Sequence, residues 1–130
     1  MIARAPSVGY IHEPFHLRHR PGVCAAHFDY WYTYICDRNA DRYATAIEAC
    51  LRFQHQTAVD LRSIRHPHHV MFFLQHWFRF RQGRQRGLRP LLKDPLAFFS
   101  AEWLATRFNM DVIILIRHPL AFAGSLKHIN

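Results

Sequence analysis

The stretch VIILIRHPLAFAGS, residues 112–125, decides the fold class that the sequence predicts. Its first five residues are apolar and mostly β-branched, which is typical of a strand buried on both faces in a parallel sheet. Pro119 suits the first position of a following helix, because its missing N–H is one of the donors that a helix start leaves unpaired. The stretch therefore predicts a strand-to-helix junction in an α/β protein.

The same junction contains a candidate phosphate site. Arg117 follows the predicted strand at its carboxyl end, and Ser125 comes eight residues later, about two turns into the helix. A guanidinium and a hydroxyl so placed can converge on one anion in the crevice above the sheet. The alternative is a solvated arginine beside a helix-surface serine.

A second junction of the same design lies upstream in RPLLKDPLAFFSAEWLATRF, residues 89–108. A short strand is predicted to end at Lys93, and Asp94-Pro95 is typical of an N-cap followed by the first helical residue. A right-handed β-α-β unit would bring Lys93 and Arg117 to one rim of the sheet. Two cations on one rim favour a dianionic ligand.

Together these residues resemble the sulfotransferases that use 3′-phosphoadenosine 5′-phosphosulfate (PAPS). The resemblance implies that Arg117 and Ser125 bind the 3′-phosphate and that Lys93 reaches the 5′-phosphosulfate. The segment VGYIHEPFH, residues 8–16, is similar to the family's Glu-Pro segment. It implies that Glu13 is the base for an acceptor hydroxyl, with His12 as the alternative base.

For the fold, the resemblance implies that residues 1–130 are a partial sulfotransferase domain. This domain would be part of a P-loop-like three-layer α/β fold, with a parallel sheet flanked by helices. The implied activity is sulfuryl transfer from PAPS to a hydroxyl acceptor, with carbohydrate as one candidate. The sequence contains no Gly/Ser/Thr-rich loop for the 5′-phosphosulfate, so we expect this chain to be inactive. One alternative is an inactive nucleotide-binding or interaction remnant.

The charge balance favours an anionic partner. The sequence has 17 Lys and Arg against 9 Asp and Glu, a net charge of +8. The densest basic run extends from Arg79 to Arg89 and follows a group of aromatic residues. We interpret the aromatic residues as the apolar part of a helix over residues 68–82, with the arginines at its solvated end. Basic and aromatic residues together also suit single-stranded nucleic acid, so a basic nucleic-acid-binding module is the second alternative.

Histidines and cysteines do not indicate a metal centre or a disulfide framework. His66, His68, His69 and His76 have no known zinc-site spacing, and no metal is expected. Cys24, Cys36 and Cys50 are odd in number and widely spaced, which favours reduced thiols. No membrane span or signal peptide is evident, so we expect a cytoplasmic protein.

The middle of the chain predicts packing elements and one candidate surface. Apolar spacing predicts an amphipathic helix over residues 41–56. Before it, four aromatic residues are candidates to line an acceptor pocket, because aromatic faces stack on sugar rings; they are Tyr30, Trp31, Tyr32 and Tyr34. The alternative is that these residues belong to the core.

Overall fold

The structure is a computed structural model, and it describes residues 5–17, 22–64, 66–116, 118–120 and 124. Arg117 and Ser125 lie outside the described residues. In chain order the elements are β1 (Val8–His12), a 3₁₀ turn (Ala40–Arg42), α1 (Ala44–Leu51), α2 (Thr57–Ser63), α3 (Pro67–Gln85), β2 (Arg89–Lys93), a 3₁₀ helix (Pro95–Ser100) and α4 (Ala101–Phe108).

Strands β1 and β2 form a small parallel sheet flanked by helices. Val8 is in register with Arg89 and His12 with Lys93. The prediction of a short strand that ends at Lys93 is therefore confirmed, as is the mixed α/β character of the chain. Since both strands run in the same direction, the residues that follow them emerge at one edge of the sheet.

The predicted buried strand at residues 112–116 is wrong for this structure. These residues have no regular secondary structure, and their exposed fractions run from 47% at Val112 to 90% at Ile116. A strand needs a neighbour to pair its backbone groups, and among the described residues β2 pairs only with β1. A cavity of about 750 Å³ lies beside β2, and its lining includes Leu91 and Ile113.

The core packs around the Phe53 ring, which lies between β1 and α3. A Cβ at Gly9 would overlap the end of the Phe53 ring, and a Cβ at Gly83 would come within 3.0 Å of its Cγ atom. Phe80 closes the same region with an edge-to-face contact, its ring centroid 5.6 Å from that of Phe53. The two glycines therefore provide the space in which the sheet and α3 meet.

The helices differ from the predicted ones in length and in burial. The helix predicted over residues 41–56 is shorter, because Phe53 takes a left-handed backbone conformation (φ +54°) just after α1. The helix predicted over residues 68–82 is confirmed as α3, with slightly wider bounds. Its aromatic face is only partly buried, since Phe80 is 2% exposed but Phe78 is 63% exposed. Within the described residues, no helix is long and apolar enough to cross a membrane.

Candidate functional site

Glu13 and Lys93 meet at the carboxyl edge of the sheet. The Lys93 Nζ atom lies 2.7 Å from Glu13 Oε1, although the two residues are 80 positions apart in the chain. The backbone N–H of Glu13 also donates to the Lys93 carbonyl oxygen, at 3.0 Å. The parallel register brings these strand ends together, so the ion pair follows directly from the sheet.

The backbone of Glu13 adopts a left-handed conformation, which sets the direction of its side chain. Glu13 has φ +48°, a left-handed conformation that non-glycine residues rarely adopt. Such conformations cost free energy, and they cluster at functional sites. The Glu13 side chain is 20% exposed and that of Lys93 is 49% exposed, so the pair is open to solvent and to a ligand.

Asp94 connects the two loops that carry this pair. One carboxylate oxygen accepts the backbone N–H of Phe15 at 2.7 Å, and the other accepts that of Leu96 at 2.8 Å. The second bond is the predicted N-cap, which is confirmed. The first bond joins the loop after β1 to the start of the helix after β2. Burial raises the pKa of the Asp94 carboxyl, although both N–H donors act in the opposite direction.

His12, the alternative base, lies beside Glu13. Its Nε2 atom is 3.9 Å from Glu13 Oε2, and its Nδ1 atom is 3.1 Å from the Tyr10 hydroxyl oxygen. The His12 side chain is 41% exposed. The structure therefore brings together the three residues that the sequence analysis proposes for catalysis.

An aromatic loop near the carboxyl edge of the sheet is exposed to solvent. We call residues 30–34 the aromatic loop; its rings are 51–76% exposed, namely Tyr30, Trp31, Tyr32 and Tyr34. The alternative that these residues form core is therefore wrong. The Trp31 ring lies edge-on to His16 at a centroid distance of 5.1 Å, and Tyr32 lies edge-on to Phe99 at 6.1 Å.

Hydrogen bonds from the buried Ser100 hydroxyl and from the Thr33 hydroxyl hold the backbone of the aromatic loop in place. The hydroxyl of Ser100, a fully buried residue, donates to the Thr33 carbonyl oxygen at 2.6 Å and accepts the Ile35 N–H at 3.1 Å. The Thr33 hydroxyl donates to the Tyr30 carbonyl oxygen at 2.8 Å. The rings are thus exposed on a backbone that is already ordered, which lowers the entropy lost when a ligand binds.

The predicted phosphate pair, Arg117 and Ser125, lies outside the described residues, so its geometry stays a prediction. The backbone is helical at Pro119 and Leu120, as expected for a helix that begins at the proline. Within the described part of the chain, no group of three or more His, Cys, Asp or Glu residues could hold a metal ion. His66, His68 and His69 contact one another through their rings.

The sequence analysis missed two features of this region. The bond from Asp94 to Phe15 spans 79 positions, and no local pattern indicates it. The left-handed backbone at Glu13 was also not predicted, because a residue followed by proline is ordinarily biased toward extended conformations. Comparisons with protein-family models, curated proteins and solved structures found no match to this chain.

Proposed function

We propose that this chain carries the acceptor-activating part of a PAPS-dependent sulfotransferase site. The observation that carries the proposal is the Glu13–Lys93 ion pair at the carboxyl ends of two adjacent parallel strands. Ligands of open α/β sheets bind at this edge. A carboxylate and an ammonium group held 2.7 Å apart there supply a proton acceptor and a cation for one reaction centre.

In the proposed reaction, Glu13 accepts the proton of an acceptor hydroxyl while that oxygen attacks the sulfur of PAPS. The new oxygen–sulfur bond forms as the bond from sulfur to the 5′-phosphate oxygen breaks, so the leaving phosphate gains negative charge. Lys93 neutralises this charge. Because an ammonium group has three N–H donors, Lys93 can contact the phosphate without releasing Glu13. By resemblance, Arg117 and Ser125 anchor the 3′-phosphate.

The aromatic loop supports a place for the acceptor. Its exposed rings lie over the loops that follow β1 and β2, through the contacts of Trp31 with His16 and of Tyr32 with Phe99. A ring-shaped acceptor such as a sugar stacked there would lie on the same side of the molecule as Glu13. The acceptor hydroxyl would then be oriented by aromatic contacts and activated by the carboxylate.

The finer fold that we propose is a P-loop-like three-layer domain with a larger parallel sheet. Two features support it: the outer edge of β2 has no strand partner among the described residues, and β2 residues line a cavity of about 750 Å³. The exposed apolar run from Val112 to Ile116 contributes Ile113 to the same lining. A further strand at this edge would pair the backbone of β2 and cover those side chains.

The test is nucleotide binding measured by calorimetry on the 130-residue chain. Adenosine 3′,5′-bisphosphate should bind more tightly than adenosine 5′-monophosphate, and Arg117→Ala should remove the difference, because the lost contact is a charge-assisted bidentate one. Equal affinity of the unmodified chain for both nucleotides would overturn the proposal. Transfer of radiolabelled sulfate from PAPS to sugar and phenol acceptors, measured in the same samples, should stay at background, because the sequence contains no Gly/Ser/Thr-rich loop for the 5′-phosphosulfate.

A second candidate function, single-stranded nucleic acid binding, is favoured by one observation on α3. Phe78 is 63% exposed, and the Arg81 guanidinium lies 5.3 Å from the centroid of the Trp77 ring, so basic and aromatic groups share an exposed surface. Binding of a fluorescent oligonucleotide that weakens steeply with salt and is lost in Arg81→Ala would support this function. Affinity that is insensitive to salt would exclude it.

A further inference from the structure

A pair of buried thiols, Cys24 and Cys50, lies in the core. Cys24 is 6% exposed and Cys50 is 2% exposed. Both residues line one cavity of about 10 Å³, which is roughly the space that one water molecule needs. The Cys24 Sγ atom is 3.7 Å from the carbonyl oxygen of Ala46, which lies one helical turn before Cys50 in α1. The two sulfur atoms therefore share one face of α1.

The two side chains line the same cavity, and each thiol shifts the pKa of the other, which indicates that the sulfur atoms are close. Disulfide formation requires α-carbons that are close and side chains that point toward each other, and two side chains that line one water-sized cavity meet the second condition. Cys36, the third cysteine, is only partly buried and does not line this cavity.

We propose that Cys24 and Cys50 are a modification site: a dithiol that a peroxide oxidises to a disulfide between residues 22–28 and α1. The oxidant is a small hydroperoxide such as hydrogen peroxide. This inference does not depend on sulfuryl transfer, since it uses two buried thiols that have no role in the proposed reaction.

The two thiols affect each other's ionisation. The Cys50 thiol lowers the pKa of the Cys24 thiol, while the Cys24 thiol and burial raise the pKa of the Cys50 thiol. Cys24 also donates its S–H to the Ala46 carbonyl oxygen. The two thiols form one coupled pair, and the first thiolate can arise on either of them. The nearby Asp60 carboxylate acts against ionisation of both thiols.

The reaction balances in two steps. The thiolate of one cysteine attacks one peroxide oxygen, the O–O bond breaks, and a sulfenic acid and hydroxide form. The sulfur of the other cysteine then attacks the sulfenic sulfur and displaces its hydroxyl group, and the two protons released by the thiols convert both oxygen atoms to water. Overall, two thiols and one hydrogen peroxide give one disulfide and two waters, with two electrons passing from sulfur to oxygen.

The experiment uses the reduced 130-residue chain under native conditions. The protein is treated with hydrogen peroxide, quenched, denatured, alkylated with iodoacetamide and mapped by mass spectrometry. We expect a cross-linked peptide that joins Cys24 to Cys50, in a chain lighter by two hydrogen atoms. The cross-link should be absent in Cys24→Ser and in Cys50→Ser, and present in the matched control Cys36→Ser.

The stability of the oxidised and reduced protein, measured by thermal and denaturant unfolding, provides a second test. This test does not require Cys24→Ser or Cys50→Ser to fold. Oxidised Cys36→Ser should be more stable than the same variant in reduced form, because the bond restricts the unfolded chain. Its unfolding constant should fall by roughly 30- to 1,000-fold, as for a typical disulfide. A cross-link that involves Cys36, over-oxidation of Cys24 and Cys50 without a cross-link, or an oxidised form less stable than the reduced one would each overturn the proposal.

Discussion

The carboxylate of Asp94 accepts the backbone N–H of Phe15 at 2.7 Å, across 79 positions of the chain. Phe15 is fully buried, so this bond fixes the loop after β1 to the core and to the start of the helix after β2 at once. Glu13 lies two residues before Phe15 in the chain, and Lys93 directly precedes Asp94. The geometry of the candidate site thus depends on a residue that does not belong to the ion pair.

Replacement of Asp94 by asparagine should destabilise the protein. Asparagine has one acceptor oxygen in place of two, so either the Phe15 or the Leu96 N–H loses its partner. Loss of a partner to a buried donor costs about 1–3 kcal/mol of the free energy of unfolding at neutral pH. Urea denaturation measures the change. The matched control is Asp37→Asn, because Asp37 is exposed and its replacement should shift stability by less than about 0.5 kcal/mol. Equal effects in the two variants would contradict the role of Asp94.

Asp94 should also leave a signature in the pH dependence of stability. Burial raises the pKa of this carboxyl above its ordinary value of 3.8, so the folded state holds the proton more tightly than the unfolded state. The contribution of Asp94 to stability is therefore fully present below pH 3.8 and is lost as pH rises through the folded-state pKa. Relative to Asp94→Asn, the unmodified protein should lose stability across this window. Urea denaturation at a series of pH values checks this, and parallel curves for the two proteins would refute it.

Glu13→Gln should separate proton transfer from binding. The substitution keeps the shape of the side chain but removes the proton acceptor, so sulfate transfer should fall by roughly 10²- to 10⁴-fold while nucleotide affinity changes little. His12→Ala should have the smaller effect. Radiolabelled transfer assays, in a form of the protein that turns over, compare the two variants. The opposite ranking would assign the base to His12.

Gly9→Ala should weaken the contact between β1 and the core. The added Cβ would overlap the Phe53 ring, which is already enclosed by Gly83 on the α3 side. We expect a loss of about 1–3 kcal/mol in the free energy of unfolding, as for other overpacked cores. Gly124→Ala is the control, because a Cβ there meets no atom within 4 Å. If both variants melt at the same temperature, the ring does not fill this space.

Ser100→Ala should loosen the aromatic loop. The buried hydroxyl both donates to the Thr33 carbonyl and accepts the Ile35 N–H, and its removal leaves both groups without a partner. The expected loss is about 1–3 kcal/mol of the free energy of unfolding, with faster amide exchange at Ile35. Ser7→Ala, at an exposed position, is the control. Unchanged amide exchange at Ile35 in Ser100→Ala would show that the loop is held by other contacts.

The sequence alone determined those features that depend on neighbouring residues. The short strand ending at Lys93, the N-cap at Asp94 and the long helix α3 were all predictable, because strand and helix patterns and caps act over a few positions. The position of Glu13 at the end of a strand was predictable for the same reason.

Only the tertiary structure decided which of these elements meet. An apolar run such as Val112–Ile116 forms a strand only where another strand can pair with its backbone, and among the described residues no strand pairs with it, so the run stays exposed. The Glu13–Lys93 ion pair, the bond from Asp94 to Phe15 and the cavity shared by Cys24 and Cys50 join residues far apart in the chain. Such pairings arise from sheet register and core packing, which no local pattern of residues specifies.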